Sequence, residues 1–111
     1  MSTKEFIANF AKEAEKMKSQ AGPMMAGFGG LFSKVMTEGA ITVREKEFVA
    51  LGIAVANQCE PCIRAHVKKC LEAGASREQI IEAASVAVVM GGGPAYMHIP
   101  SVIEALDSLA G

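Results

Sequence analysis

Apolar side chains recur three and four positions apart along most of this chain, and no stretch of useful length alternates strictly between apolar and polar. That period predicts helices and no sheet. A first helix is expected from Ser2 to about Gln20, where Phe6, Ile7, Phe10, Ala14 and Met17 share one face and Ser2 with Glu5 suits a capping box. Gly22-Pro23 should end it and open a second helix to about Glu38, whose Met24 to Phe32 cluster reads as core or subunit interface rather than a hydrophobic substrate pocket, although such a pocket could form where it meets the fourth helix. Thr42 and Glu45 start a third helix to about Asn57; from Phe48 to Ala56 it carries no polar side chain, so burial nearly all round is expected. A fourth runs from Glu60-Pro61 to Gly74, with Pro61 suited to N1 and Gly74 to C′. Ser76 and Gln79 cap a fifth, apolar on most sides, to about Met90. After Gly91-Gly92-Gly93, Pro94 opens a sixth segment to about Ala110, which Pro100 kinks or restarts, with Ser101 and Glu104 as a further capping box. The expected fold is all-α, about six helices in a single domain over residues 1–111.

Composition narrows the function classes. Half of the 111 residues are apolar and 21% are charged, which excludes a disordered chain. Eleven basic against twelve acidic residues, with no basic run, argue against nucleic acid as a partner. Ala83 to Ile103 lacks Asp, Glu, Lys and Arg, but the triple glycine and Pro94 divide it, so two short buried helices fit better than a membrane span. The N-terminus mixes charges through an amphipathic pattern and does not read as a signal peptide, so a cytoplasmic location with reduced thiols is expected. So much apolar residue in so short a chain points to subunit contacts that help bury the third helix, and with it Glu47.

The chemistry concentrates in Cys59-Glu60-Pro61-Cys62-Ile63-Arg64-Ala65-His66. Cys62 and His66 share a helix face, and Cys59 lies just before the first turn. A C-x-x-C pair can close a disulfide across a helix N-terminus, whose free N–H groups and partial positive charge favour thiolate. His66, one turn in, can exchange a proton. Glu47 is the last charged residue before the apolar run. If the third and fourth helices form a hairpin through Asn57-Gln58, Glu47 lies about 15 Å up one arm and His66 about 9 Å down the other. Their levels differ by about one turn, which side chains or a water could span. The same Cys59, Cys62 and His66, with Glu47 or water as a fourth ligand, could form a zinc site, although no fourth Cys or His follows at the usual spacing. Cys70 lies about 12 Å along the axis from Cys62 and reads as a buried inert thiol. His98 reads as surface or interface packing. No flavin, haem or nucleotide motif is visible and no cofactor is expected; the glycine triplet lacks the strand context of a phosphate loop.

Glu47-x11-Cys59-x2-Cys62-x3-His66 resembles the signature of the alkylhydroperoxidase D-like members of the carboxymuconolactone decarboxylase family. The resemblance covers roughly Thr42 to Leu106, including Gly74-Ala75 and Gly92-Gly93-Pro94-Ala95. It implies an all-α homo-oligomer, a trimer or hexamer, that reduces hydroperoxides or disulfides at the expense of a thiol or dithiol reductant. It implies that Cys62 attacks, that Cys59 resolves the product into a Cys59–Cys62 disulfide, and that His66 and Glu47 relay the proton. In other C-x-x-C proteins the first cysteine is often the nucleophile, so the order of attack stays open. The decarboxylases proper usually lack the cysteine pair. A disulfide reductase without peroxidase activity, a zinc-binding module and a decarboxylase-like enzyme are the alternatives.

Overall fold

The structure is a computed structural model and describes residues 1–110; Gly111, the last residue of the expected domain, lies outside the described residues. Six helical elements follow one another: α1 (Thr3–Val35), α2 (Val43–Ala56), α3 (Glu60–Glu72), α4 (Arg77–Gly91), the single turn α5 (Gly93–Tyr96) and α6 (Ile99–Leu109). All three N-terminal capping boxes expected at Ser2, Thr42 and Ser76 are formed. They depend only on residues three apart, which is why they can be read locally.

The first two expected helices are one element. Pro23 removes a backbone donor and crowds the preceding turn, yet the helix resumes past a kink at Ala21, whose φ/ψ is −140°/39°. The last segment, in turn, divides in two. Its second part starts at Ile99 with His98 as N-cap, so Ser101 sits three residues inside the helix and the expected Ser101/Glu104 capping box does not form. Both side chains bond elsewhere: Ser101 to Glu60 and Glu104 to Thr3.

The core is built by α2, α3, α4 and α6. Leu51 and Val55 of α2, Ile63, Val67 and Cys70 of α3, Ile80 and Ala84 of α4, and Val102, Ala105 and Leu106 of α6 are all buried and form one cluster. At the end of α4, a Cβ on Gly91 would lie 2.9 Å from the Ala95 Cβ, so only glycine admits this approach of α5. Gly74 ends α3 with φ +88°, the C′ role expected of it.

α1 stays largely outside this core; only Thr3 is buried. Its start is tied down where the Thr3 N–H donates to the Glu104 carboxylate at 3.2 Å, and where Arg64 reaches the Met1 carbonyl at 3.1 Å and covers the Phe6 ring. Its far end is closed by Lys46, whose Nζ donates to the Val35 and Thr37 carbonyls at 2.7 and 2.8 Å.

Two apolar surfaces stay open on a single chain, both in segments whose expected burial included subunit contacts. Within one chain the Met24 to Phe32 cluster does not join the core, because Met24, Phe28 and Leu31 are more than half exposed. Nor does its own chain bury α2 all round: Val49 and Ile53 stand more than half exposed beside Val86 and Met90 of α4. Glu47, however, reaches 4% exposure inside its own chain, so its burial needs no subunit contact. Among the described residues no helix is long and apolar enough to cross a membrane.

Candidate active site

α2 and α3 form a hairpin through Asn57 and Gln58. Gln58 takes φ +57°, an uncommon conformation for a side-chain-bearing residue, and the next N–H, from Cys59, donates to the Ala54 carbonyl at 3.0 Å. This turn delivers Cys59 to the N-cap of α3, a position normally held by Ser, Thr, Asp or Asn. Its Sγ accepts the Cys62 N–H at 3.3 Å. Pro61 follows in the first turn, where its missing N–H is no loss. Cys59 and Cys62 are joined by a disulfide with their Cα atoms 5.2 Å apart, and both residues are half-buried.

One turn further along α3, the His66 Nδ1–H donates to Glu47 Oε1 of α2 at 2.7 Å. The direct bond closes the one-turn offset expected between these two residues. A carboxylate acceptor fixes the proton on Nδ1 and leaves Nε2 as the nitrogen available to a reacting group. Phe32 of α1 stacks on the His66 ring with centroids 6.3 Å apart. A cleft of about 250 Å³, lined by Phe28, Leu31, Phe32, Val35, Met36, Ala50 and His66, opens over this face. The Met/Phe cluster therefore contributes to the surroundings of His66, though not to the core.

Cys70, one turn beyond His66, is fully buried, and its thiol is pushed up to about 12, first by burial and second by the negative charge of Glu47. It is the third cysteine, and it takes no part in the disulfide. No group of three His, Cys, Asp or Glu side chains able to share a metal occurs among the described residues.

A second histidine–carboxylate pair went unread in the sequence. His98 Nδ1–H and Ser101 Oγ–H both donate to Glu60 Oε1, at 2.9 and 2.7 Å. Glu60 lies inside the C-x-x-C motif, so the motif itself pointed to one partner. Nothing local points to the other two, which lie 38 and 41 positions downstream.

An all-helical core that presents a vicinal cysteine pair at a helix N-terminus, one turn from a half-buried histidine held by a buried carboxylate, defines a class of helical cysteine-pair proteins. The chain belongs to the carboxymuconolactone decarboxylase family, whose model matches residues 23–105. A protein from Paracoccus denitrificans, known as uncharacterized protein 4 in cox locus, is 39% identical over 84 residues, covering 76% of each chain. An alkyl hydroperoxide reductase AhpD from Mycobacteroides abscessus is 28% identical over 75 residues, which span 67% of this chain and 43% of that protein. Among solved structures, an apo carboxymuconolactone decarboxylase family protein from Legionella pneumophila superposes with TM-score 0.92 at 29% identity, covering 98% of this chain and 97% of the other. A Thermotoga maritima protein superposes with TM-score 0.88 at 32% identity, covering 96% and 94%. A second determination of the same Thermotoga protein carries the suggestion of an antioxidative response.

Proposed function

We propose that this chain is a thiol-dependent oxidoreductase that cycles Cys59 and Cys62 between dithiol and disulfide while reducing hydroperoxides or disulfides. The observation that carries this reading is the junction of the Cys59–Cys62 pair with the Glu47-held His66 on successive turns of α3. In the peroxide cycle the Cys62 thiolate attacks the terminal peroxide oxygen. The O–O bond breaks, the leaving alkoxide takes the proton that His66 received from the Cys62 thiol and departs as the alcohol, and Cys62 becomes a sulfenic acid. The Cys59 thiol then attacks the Cys62 sulfur, releasing water and closing the disulfide. A dithiol reductant returns two electrons and two protons. With a disulfide substrate, the same attack gives a mixed disulfide that Cys59 resolves. His66 Nε2 takes the proton from the thiol pair, and Glu47 orients the ring and stabilises the imidazolium. Helix α3 favours the attacking thiolate at its N-terminus.

The proposed enzyme acts as a homo-oligomer, with a thiol or dithiol protein or small molecule as electron donor. The exposed apolar side chains of α2 and α4 support the first part of this statement.

The test is consumption of an organic hydroperoxide by metal-free protein with dithiothreitol. Cys62→Ser should abolish turnover, and Glu47→Gln and His66→Gln should each lower kcat/KM about 100-fold. Turnover by Cys62→Ser equal to that of the wild type would refute the proposal.

A further inference from the structure

The N-terminus of α3 has few backbone donors to offer sulfur. Pro61 has no N–H, and the Ile63 N–H is already taken by the Cys59 carbonyl at 2.9 Å. The Cys62 N–H, which donates to Cys59 Sγ, is therefore a scarce group. Sulfur is a weak acceptor. A carboxylate is a far better one, and Glu60 sits two residues before that N–H. The acidic side chain nearest the couple is thus a natural competitor for the donor that holds Cys59.

The structure keeps the competitor away. Glu60 Oε1 is drawn to the first turn of α6, where it accepts from His98 Nδ1–H and Ser101 Oγ–H. These three groups come from two helices packed against one another. Arg64, one turn along α3 from Glu60, is committed to Met1 and Phe6 and does not neutralise it. We propose, building on the redox reading above, that Glu60 is a positioning residue for the Cys59–Cys62 couple. The His98–Ser101 clamp holds its carboxylate off the N-terminus of α3 and so reserves the Cys62 N–H for sulfur.

The clamp acts on the equilibrium in which the disulfide gains two electrons and two protons from dithiothreitol, which closes its own ring disulfide. Stabilising a thiolate at the end of α3 favours the dithiol side. Removing the Glu60 charge and removing its clamp therefore have opposite effects. Glu60→Gln supplies a neutral, weaker acceptor and shifts the equilibrium toward dithiol. His98→Asn or Ser101→Ala releases the carboxylate toward α3 and shifts it toward disulfide.

The experiment equilibrates the full chain in buffers of reduced and oxidised dithiothreitol, traps thiols by alkylation and counts them by mass. Each single variant should move the equilibrium constant about threefold to tenfold in its stated direction, tenfold being about 30 mV for a two-electron couple. Glu60→Gln combined with Ser101→Ala should behave as Glu60→Gln alone, because without the charge there is nothing to hold aside. A clamp that merely supported the fold would move all variants the same way and show no such rescue; that result, or constants within twofold of wild type, overturns the proposal. Circular dichroism confirms that each variant is folded, and Ser101→Ala keeps the test decisive should His98→Asn fail to fold. A wild-type disulfide that exchanges in none of the buffers overturns the redox reading itself, and is distinguishable from wild-type exchange that the variants leave unchanged.

Discussion

Cys70 and Glu47 are neighbours in the interior of the hairpin with contrasting solutions to burial. Glu47 is compensated by the His66 N–H, as a buried carboxylate must be. Cys70 has no such donor and stays protonated, its thiol raised from 9.0 to about 12, mainly by burial. The folded state therefore holds this proton more tightly than the unfolded state does. The stabilisation is complete below about pH 9 and is lost as pH climbs from there toward about 12. Urea unfolding between pH 8 and 11 should show a steeper alkaline loss of stability with Cys70 than with Cys70→Ala. Both proteins should carry Cys59→Ser and Cys62→Ser, to prevent disulfide reshuffling. Parallel profiles would remove Cys70 from the account. At this scale the sequence was informative where partners are close: Cys59, Cys62 and His66 lie within eight residues, and their shared helix follows from spacing. The Glu60 partners were illegible because loops and helix α4 intervene before His98 and Ser101.

Among the elements, α2 matters most to the site, since it brings the Glu47 carboxylate to His66. Thr42 starts it: the hydroxyl accepts the Glu45 N–H at 3.1 Å, and the Glu45 carboxylate accepts the Thr42 N–H at 2.8 Å. This reciprocal capping holds the Glu45 carboxyl below the ordinary carboxylate range, first through its backbone bond to Thr42. Thr42→Ala should cost about 1 kcal/mol in thermal or denaturant unfolding, while Thr42→Ser should stay within a few tenths of a kcal/mol. Equal loss from both substitutions would show that the methyl group, not the cap, is what matters. Three of the four expected capping boxes formed because they close within one turn; Ser101 and Glu104 have the same spacing, but Glu60 and Thr3 take both side chains. The kink at Ala21 was not readable from sequence: Gly22-Pro23 signals an interruption, but whether a helix stops or bends there depends on whether tertiary contacts hold both halves. Here Thr3 and Arg64 anchor one end of α1 and Lys46 the other.

The whole molecule leaves a broad apolar surface on one chain. Val49 and Ile53 of α2 and Val86 and Met90 of α4 line a single groove and are each more than half exposed. Exposed apolar patches of this kind are uncommon on monomers. The proposed homo-oligomer predicts that sedimentation velocity at micromolar concentration finds a species well above 11.6 kDa. Val49→Lys with Val86→Lys should shift it toward the monomer. A wild-type chain that sediments as one subunit would end that proposal. Because Glu47 is already buried within its own chain, the His66–Glu47 hydrogen bond should survive dissociation.

The sequence by itself determined what short-range chemistry can determine: helical periodicity, three capping boxes, the glycine end of α3, and a cysteine pair with its histidine on one helix face. Each depends on groups within about one turn of one another, so covalent spacing is enough to place them. Tertiary structure decided the rest. It turned the expected one-turn gap between Glu47 and His66 into a direct bond, merged two helices into α1, moved Ser101 out of a capping role, and carried His98 to Glu60. Those outcomes depend on the relative placement of whole helices, set by how Leu51, Val55, Ile63, Val67 and Val102 pack together, and no local pattern encodes that packing.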